Sequence, residues 1–354
     1  MLIFLAVCLS ITLWRIGFAK RDEIFEDCLS KDKTNSIRGA FIILVFFSHF
    51  TSYIQNFNIL DQYEKTLLAL ISQRMVTMFL LYSGYGIMES IKKKGKSYVN
   101  GIPLKRIGKV LLQFDIAVFL FILVKCIIGQ ASSLSVKLVL LSLIGWKSVG
   151  NSNWYVFAVI IAYFAAFIGF KLTKSHAGGI AVTTGLILIY CFLMHFLTSQ
   201  GLRWYDTILC FPLGMVLSEC KDKAFRIYRF RPLWWGSVLA LIAFQAISIK
   251  YAGSILLRIA AMITFSILVF LITMRVSVDN PALRYLGSHL FGLFIMQRVP
   301  MILVKQYGLF GVSNYLCLGI CILTTIPLAI GFDWLTGKCW TLLTSGKRKK
   351  NTVS

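Results

Sequence analysis

Long apolar runs alternate with short polar segments along almost the whole chain. A helix that crosses a bilayer needs about 20 predominantly apolar residues. About eleven segments approach that length: roughly 2–19, 37–57, 67–90, 107–128, 154–172, 178–198, 204–219, 233–250, 255–275, 288–306 and 313–336. The pattern predicts an all-α, polytopic membrane helix bundle of about eleven transmembrane helices. The stretch from Leu134 to Trp146 is too short to cross and reads as re-entrant or interfacial. Neither a soluble domain nor a clear internal repeat interrupts the pattern. The expected organisation is an anchor helix with its loop (1–34), a membrane core (35–337) and a basic tail (338–354).

Basic residues orient this map. One set of alternate loops holds Lys20, Arg21, Lys31 and Lys33, then Lys92, Lys93, Lys94, Lys96, Lys105 and Arg106. It continues through Lys171, Lys174, the run from Lys221 to Arg231, Arg284 and the Lys-rich tail. The opposite loops hold few, so the first set is expected in the cytoplasm, with the N-terminus outside and the C-terminus inside. The first segment lacks a small-residue cleavage site and reads as an uncleaved anchor.

Composition narrows the class. The 354 residues are 58% hydrophobic and 14% charged, with mean hydropathy +0.77. A soluble domain has about 25% charged residues, so an ordinary cytosolic enzyme is excluded. The net charge of +23 is explained by cytoplasmic loops rather than by nucleic-acid binding. The nine cysteines form no CxxC, so no metal site or disulfide framework is expected.

Ionisable groups inside a bilayer are costly and are functional candidates by default. Arg258, Asp206, Glu89 and Asp333 sit near span ends, where snorkelling accounts for them, and His176, His195 and His289 are also peripheral. His49, Arg74, Asp115 and Arg298 lie deeper. His49 follows Arg38 by eleven positions, which places both on one helix face about 16 Å apart. The deep set is net cationic and suits an anionic ligand or a developing oxyanion; the alternative is a structural ion pair with Asp115, or arginine side chains bonding to carbonyls. Near the start of another span, Asn151, Asn153, Trp154 and Tyr155 combine amide donors with flat aromatic faces, a combination that binds sugar rings. Ser83, Gly84, Tyr85 and Gly86 interrupt the third span, where glycine admits a backbone or a ligand.

The run from Arg38 to His49 resembles the Arg-x10-His element that opens the acyltransferase family 3 core. Other pieces are similar to that family in order: Arg74 to Gly86, Lys105 to Lys109, Asn153-Trp154-Tyr155 with Tyr163, Phe211 to Met215, and Leu286 to Gly292 leading to Pro300. The resemblance covers about residues 35–335. A Glu that many members carry after the Trp is absent from Phe157 to Ile160, and a late His is replaced by Gln297.

The resemblance implies transfer of an acyl group, usually acetyl from acetyl-CoA, to a hydroxyl of an envelope glycan or its lipid-linked precursor. The enzyme would sit in the cell membrane as a multi-pass protein. The residues permit the chemistry. His49 supplies a base for the acceptor hydroxyl or accepts the acyl group itself, and Arg74 or Arg298 supplies an oxyanion partner. Arg38, Lys105, Arg106 and Lys109 are placed for the phosphates of acyl-CoA, with Ser83 and Tyr85 assigned to the same donor site. Asn151, Asn153, Trp154 and Tyr155 are assigned to the acceptor. Membrane lipid surrounds the chain, and envelope-assembly proteins are candidate partners. The alternatives are a secondary transporter or flippase for an anionic or lipid-linked solute and a non-catalytic scaffold.

Overall fold

A bilayer leaves no water for backbone groups, so apolar runs satisfy their own hydrogen bonds as helices. The computed structural model of the protein describes residues 2–350 apart from 22, 55, 72 and 252, with backbone alone for 346–350. In chain order the helices are α1 (Leu2–Ser10), α2 (Lys31–Thr51), α3 (Ile59–Ile71), α4 (Arg74–Lys94) and α5 (Lys96–Ile102). A π-helical segment, Pro103–Gly108, leads into α6 (Lys109–Ile127), followed by α7 (Val136–Leu143), α8 (Trp154–Leu172), α9 (His176–Leu197) and α10 (Cys210–Tyr228). The remaining helices are α11 (Arg231–Lys250), α12 (Ile255–Thr273), α13 (Pro281–Ser288), α14 (Leu290–Met296), α15 (Arg298–Gln306) and α16 (Asn314–Lys350).

Among the described residues, seven helices are long and apolar enough to cross a membrane, or eight with the pair Pro281–Ser288 and Leu290–Gln306, which bends by 68°. Helices α2 and α10, of 21 and 19 residues, have the length, but Lys31, Asp32, Lys33 and Arg38 in one and Glu219 to Arg226 in the other add charge. Segment 134–146 contains only the eight-residue α7.

The first segment differs from the expected continuous helix over 2–19. Its helical part, Leu2–Leu13, is about 18 Å long. Arg15 then takes a positive φ of 61°, and Ile16–Phe18 (β1) pairs antiparallel with Val276–Val278 (β2). Phe4 packs against Tyr315 at the start of α16, whereas β2 follows the end of α12. The segment thus runs along the bundle as helix over residues 2–13 and as a three-residue strand over 16–18. Strand pairing supplies the hydrogen bonds that the extended part lacks internally.

Two glycine-mediated crossings hold the centre. A Cβ on Gly39 would strike the Leu283 carbonyl, and one on Gly287 the Asn35 carbonyl, so α2 and α13 touch backbone to backbone. Gly84 meets the Phe211 carbonyl and Gly214 the Leu81 carbonyl, joining α4 to α10 in the same way. Small residues permit this approach where lipid offers no hydrophobic drive between helices. These crossings account for one glycine in each of four sequence segments: Arg38 to His49, Arg74 to Gly86, Phe211 to Met215 and Leu286 to Gly292.

Candidate active site

Helix α2 carries Arg38 near its start and His49 in its last turn. His49 is therefore closer to the far end of the helix than a span over 37–57 suggests, because α2 stops at Thr51. The end of the bundle that holds Arg38 also holds Lys92 to Lys94 and Arg106, and is called here the basic end.

A cavity of about 320 Å³ opens between α2, α4, α6, α8 and α14. Arg38, Ser83, Arg106 and Tyr155 line it, together with Gly86, Gln113, Tyr163 and Phe294. Arg38 donates from Nη1 to Asn35 Oδ1 at 3.3 Å and lies over the Tyr82 ring at 5.6 Å. Its Nε is buried without a hydrogen-bond partner. The hydroxyls of Tyr155, Tyr82 and Tyr163 are within electrostatic reach of the guanidinium. The π-helical turn at Pro103–Gly108 presents Arg106 at the mouth. Arg106 Nε donates to the Tyr98 hydroxyl at 2.9 Å. π-Helical turns recur at functional sites because they re-aim side chains. Ser83 Oγ and the Tyr163 hydroxyl are 2.8 Å apart on the wall.

Phe294 connects this cavity to His49. It lines the cavity, packs 5.1 Å from the Tyr155 ring and lies 6.0 Å from the His49 ring. His49 Nδ1 is buried without a hydrogen-bond partner, and Arg298 and Arg203 lie within electrostatic reach of the imidazole. Arg298 starts α15. Its Nη1 is 3.4 Å from the Gly150 carbonyl, a long contact for a guanidinium, and its Nε is buried and unpartnered. A second cavity, of about 470 Å³, is lined by Arg298, Tyr53, Lys125 and Lys305 at the end opposite the basic one.

Several candidates are placed elsewhere. Arg74 donates to Gln245 Oε1 at 2.7 Å, Ser248 Oγ at 2.8 Å and the Leu70 carbonyl at 3.0 Å. It ties α4 to α11, with its donors engaged away from His49. Asp115 does not serve as the expected ion-pair partner: its Oδ1 is buried without a hydrogen bond, and Arg74 and Arg298 have the contacts just described. The Tyr85 hydroxyl accepts from Lys221 at 3.3 Å, in a network with Glu89. Lys105 is exposed, and Lys109 lies within electrostatic reach of Asp333, whose carboxylate is 2.7 Å from His289 Nδ1. Neither lysine lines the cavity.

The cluster assigned to the acceptor also divides. Asn151 Oδ1 accepts from Ser148 Oγ and the Val149 amide, and Asn153 Nδ2 donates to the Gly145 carbonyl at 2.8 Å. These amides shape the turn before α8, where Gly145 and Gly150 hold φ of 77° and 121°. Trp154 is buried against Tyr155, and Tyr155 faces the basic-end cavity. Asp206 is not snorkelling either: it is buried and paired with Arg258 at 3.0 Å.

Sequence reasoning missed Tyr82, Gln113 and Phe294 as lining residues. An apolar or aromatic residue in a span reads as core unless its neighbours are known.

A sequence model of a family described as an acyltransferase domain matches residues 33–334. No curated protein and no solved structure matches the chain. The matched region contains both cavities, His49, Arg38 and Arg298. The chain is a member of acyltransferase family 3.

Proposed function

We propose that the protein is an O-acyltransferase of the cell membrane that moves an acyl group, acetyl in the simplest case, from cytoplasmic acyl-CoA to a hydroxyl of an envelope glycan or its lipid-linked precursor. The observation that carries this reading is the pair of cavities at opposite ends of the bundle, each lined by an arginine whose Nε has no hydrogen-bond partner, with His49 6.0 Å from the Phe294 ring of one and within electrostatic reach of Arg298 of the other. Acyl-CoA is anionic and suits the basic end, which positive-inside bias puts in the cytoplasm. Its phosphates meet Arg106 at the mouth and Arg38 deeper. The thioester arm then runs past Tyr155 and Phe294 towards His49. Imidazole takes the proton of the acceptor hydroxyl as that oxygen attacks the thioester carbonyl. The tetrahedral oxyanion is stabilised by Arg298; on collapse the ester forms, and the thiolate of CoA leaves and is protonated.

The deciding experiment compares envelope glycans from cells with and without the gene, by mass spectrometry before and after mild base. Loss of a base-labile ester in the deletion strain, restored by the wild-type gene, is expected. An unchanged ester content in a strain that otherwise makes the protein would overturn the reading.

A further inference from the structure

Most ionic side chains near carboxylates in this protein are paired. Lys92 and Lys221 meet Glu89, Arg258 meets Asp206, Arg284 meets Asp32 and Asp279, and Lys33 meets Asp27. The cavity at the end opposite Arg38 is different. Arg298, Lys125 and Lys305 line it, and its described lining contains no Asp or Glu. The Arg298 guanidinium and the Lys305 ammonium each lie 5.9 Å from the centroid of the Tyr53 ring, so two cations share one aromatic neighbour. Lys125 Nζ donates to Ser133 Oγ at 3.0 Å. With about 470 Å³ of space, the cavity has room for a sugar unit and its substituent.

Like charges gathered without a counter-ion repel one another, and an anion relieves that repulsion. We infer that this cavity is the acceptor vestibule and that the acceptor is an anionic glycan, held by a phosphate or carboxylate on the sugar through Lys305 and Lys125. Arg298, at the inner wall, is left for the reaction itself. This rests on the acyltransferase reading above and adds the charge class of the acceptor. The anion neutralises the mouth and directs a neighbouring hydroxyl towards His49.

The test uses the full-length protein in nanodiscs of zwitterionic lipid. Fluorescently labelled oligo(glycerol phosphate), oligogalacturonate and a neutral malto-oligosaccharide of equal length are titrated in turn, and radiolabelled acetyl-CoA is titrated separately. One or both anionic probes are expected to bind at least about tenfold more tightly than the neutral one, and which of them binds separates phosphate from carboxylate. A partly exposed charge contact contributes up to about fivefold, so Lys305→Gln with Lys125→Gln should weaken anion binding by up to about 25-fold. Lys305→Arg, which keeps the charge, should retain most of it. Tryptophan fluorescence and elution volume check the fold of each variant; raised salt, which should weaken anion binding to the wild type, tests the charge dependence without mutation.

Equal binding of neutral and anionic probes, no binding of any probe at millimolar concentration, or an unaltered anion affinity in the folded double variant overturns the inference. Loss of glycan binding when phosphatidylglycerol replaces the zwitterionic lipid assigns the cations to a lipid headgroup and also overturns it. Acetyl-CoA that fails to bind while the anionic probes do would count against the donor reading alone.

Discussion

Gly84 and Gly86 are two residues apart on α4, and the structure gives them opposite roles. A Cβ at Gly84 collides with the Phe211 carbonyl, whereas a Cβ at Gly86 meets nothing within 4 Å and points into the basic-end cavity. Gly84→Ala must therefore separate α4 from α10, an overpacking cost of about 1–3 kcal/mol. Gly86→Ala has no such neighbour and removes a helix-interior glycine, a gain of about 0.5–1 kcal/mol. Gly86→Trp extends the perturbation into a space of about 320 Å³. An acyl-CoA kept out of that space loses the charge-assisted contact of its phosphates at Arg38, about 1.5–3 kcal/mol, or roughly 10–150-fold in affinity. The assay is thermal unfolding followed by fluorescence-detected size exclusion, with equilibrium binding of radiolabelled acetyl-CoA to the purified protein. Gly84→Ala should melt below the wild type. Gly86→Ala should melt at or above it, and Gly86→Trp should be folded and bind at least about tenfold more weakly. A folded Gly86→Trp protein with wild-type affinity for acetyl-CoA refutes the donor cavity. A Gly84→Ala protein as stable as the wild type refutes the crossing.

The remaining expectations concern single side chains. His49→Ala and His49→Gln should both abolish acyl transfer at normal protein levels, since neither side chain takes a proton; glycan acylation that persists in either removes His49 as the base. Arg38→Ala and Arg106→Ala should each raise the KM for acyl-CoA by roughly 10–150-fold, whereas Lys105→Ala, outside the cavity, should not; equal KM values across the three would leave them as ordinary loop charges. Arg74→Gln should lower thermal stability by about 1–3 kcal/mol because it leaves buried partners on α11 unsatisfied, with kcat of the folded fraction unchanged; a kcat loss at the wild-type melting temperature would return Arg74 to the chemistry. A cysteine introduced at Lys94 should resist an impermeant maleimide in intact cells and one at Lys147 should react, as positive-inside bias requires; the reverse pattern would exchange the donor and acceptor ends.

The helical class was legible because lipid forces apolar runs to close their own hydrogen bonds. Where the backbone departs from a plain helix was not. Run length marks 2–19 as one span, but nothing in its composition says that Arg15 turns the chain into a strand that pairs with residues 276–278. The π-turn at Pro103–Gly108 is equally hidden. For the site, Arg38, Ser83 and Arg106 stand out in separate segments of the sequence and meet at one cavity, joined there by Tyr155, which the sequence pattern assigns to the acceptor. Arg74 stands out as a charge deep in a span, yet its donors tie α4 to α11. Its partners, Gln245 and Ser248, lie 171 and 174 positions away, and a charge in a span does not announce which distant dipole satisfies it. The pair Asn151 and Asn153 misled for a related reason: a polar cluster beside aromatics is also what a tight turn needs to hold its own carbonyls and amides.

On the proposed reading, the arrangement of α2 and the two cavities meets the central difficulty of transfer across a bilayer. The phosphates of an acyl-CoA cannot enter a hydrocarbon layer about 30 Å thick without a heavy desolvation cost, and a glycan on the far side meets the same barrier. Helix α2 bridges the two problems with one rigid element. Arg38 lies near its basic end and His49 near the other, about 16 Å further along the same face. An anionic head held at Arg38 and Arg106 stays near the basic surface while an uncharged arm reaches along the cavity. The acceptor advances only as far as Arg298, whose Gly150 contact anchors the opposite cavity. On this reading only an acyl group traverses the middle of the membrane, and neither large polar reactant crosses. The backbone crossing of Gly39 with Leu283 and of Gly287 with Asn35 then acquires a second consequence. It holds α2 against α13, which leads directly into α14 and Phe294, so the face that carries Arg38 and His49 is set relative to the aromatic ring that joins the cavity to the base.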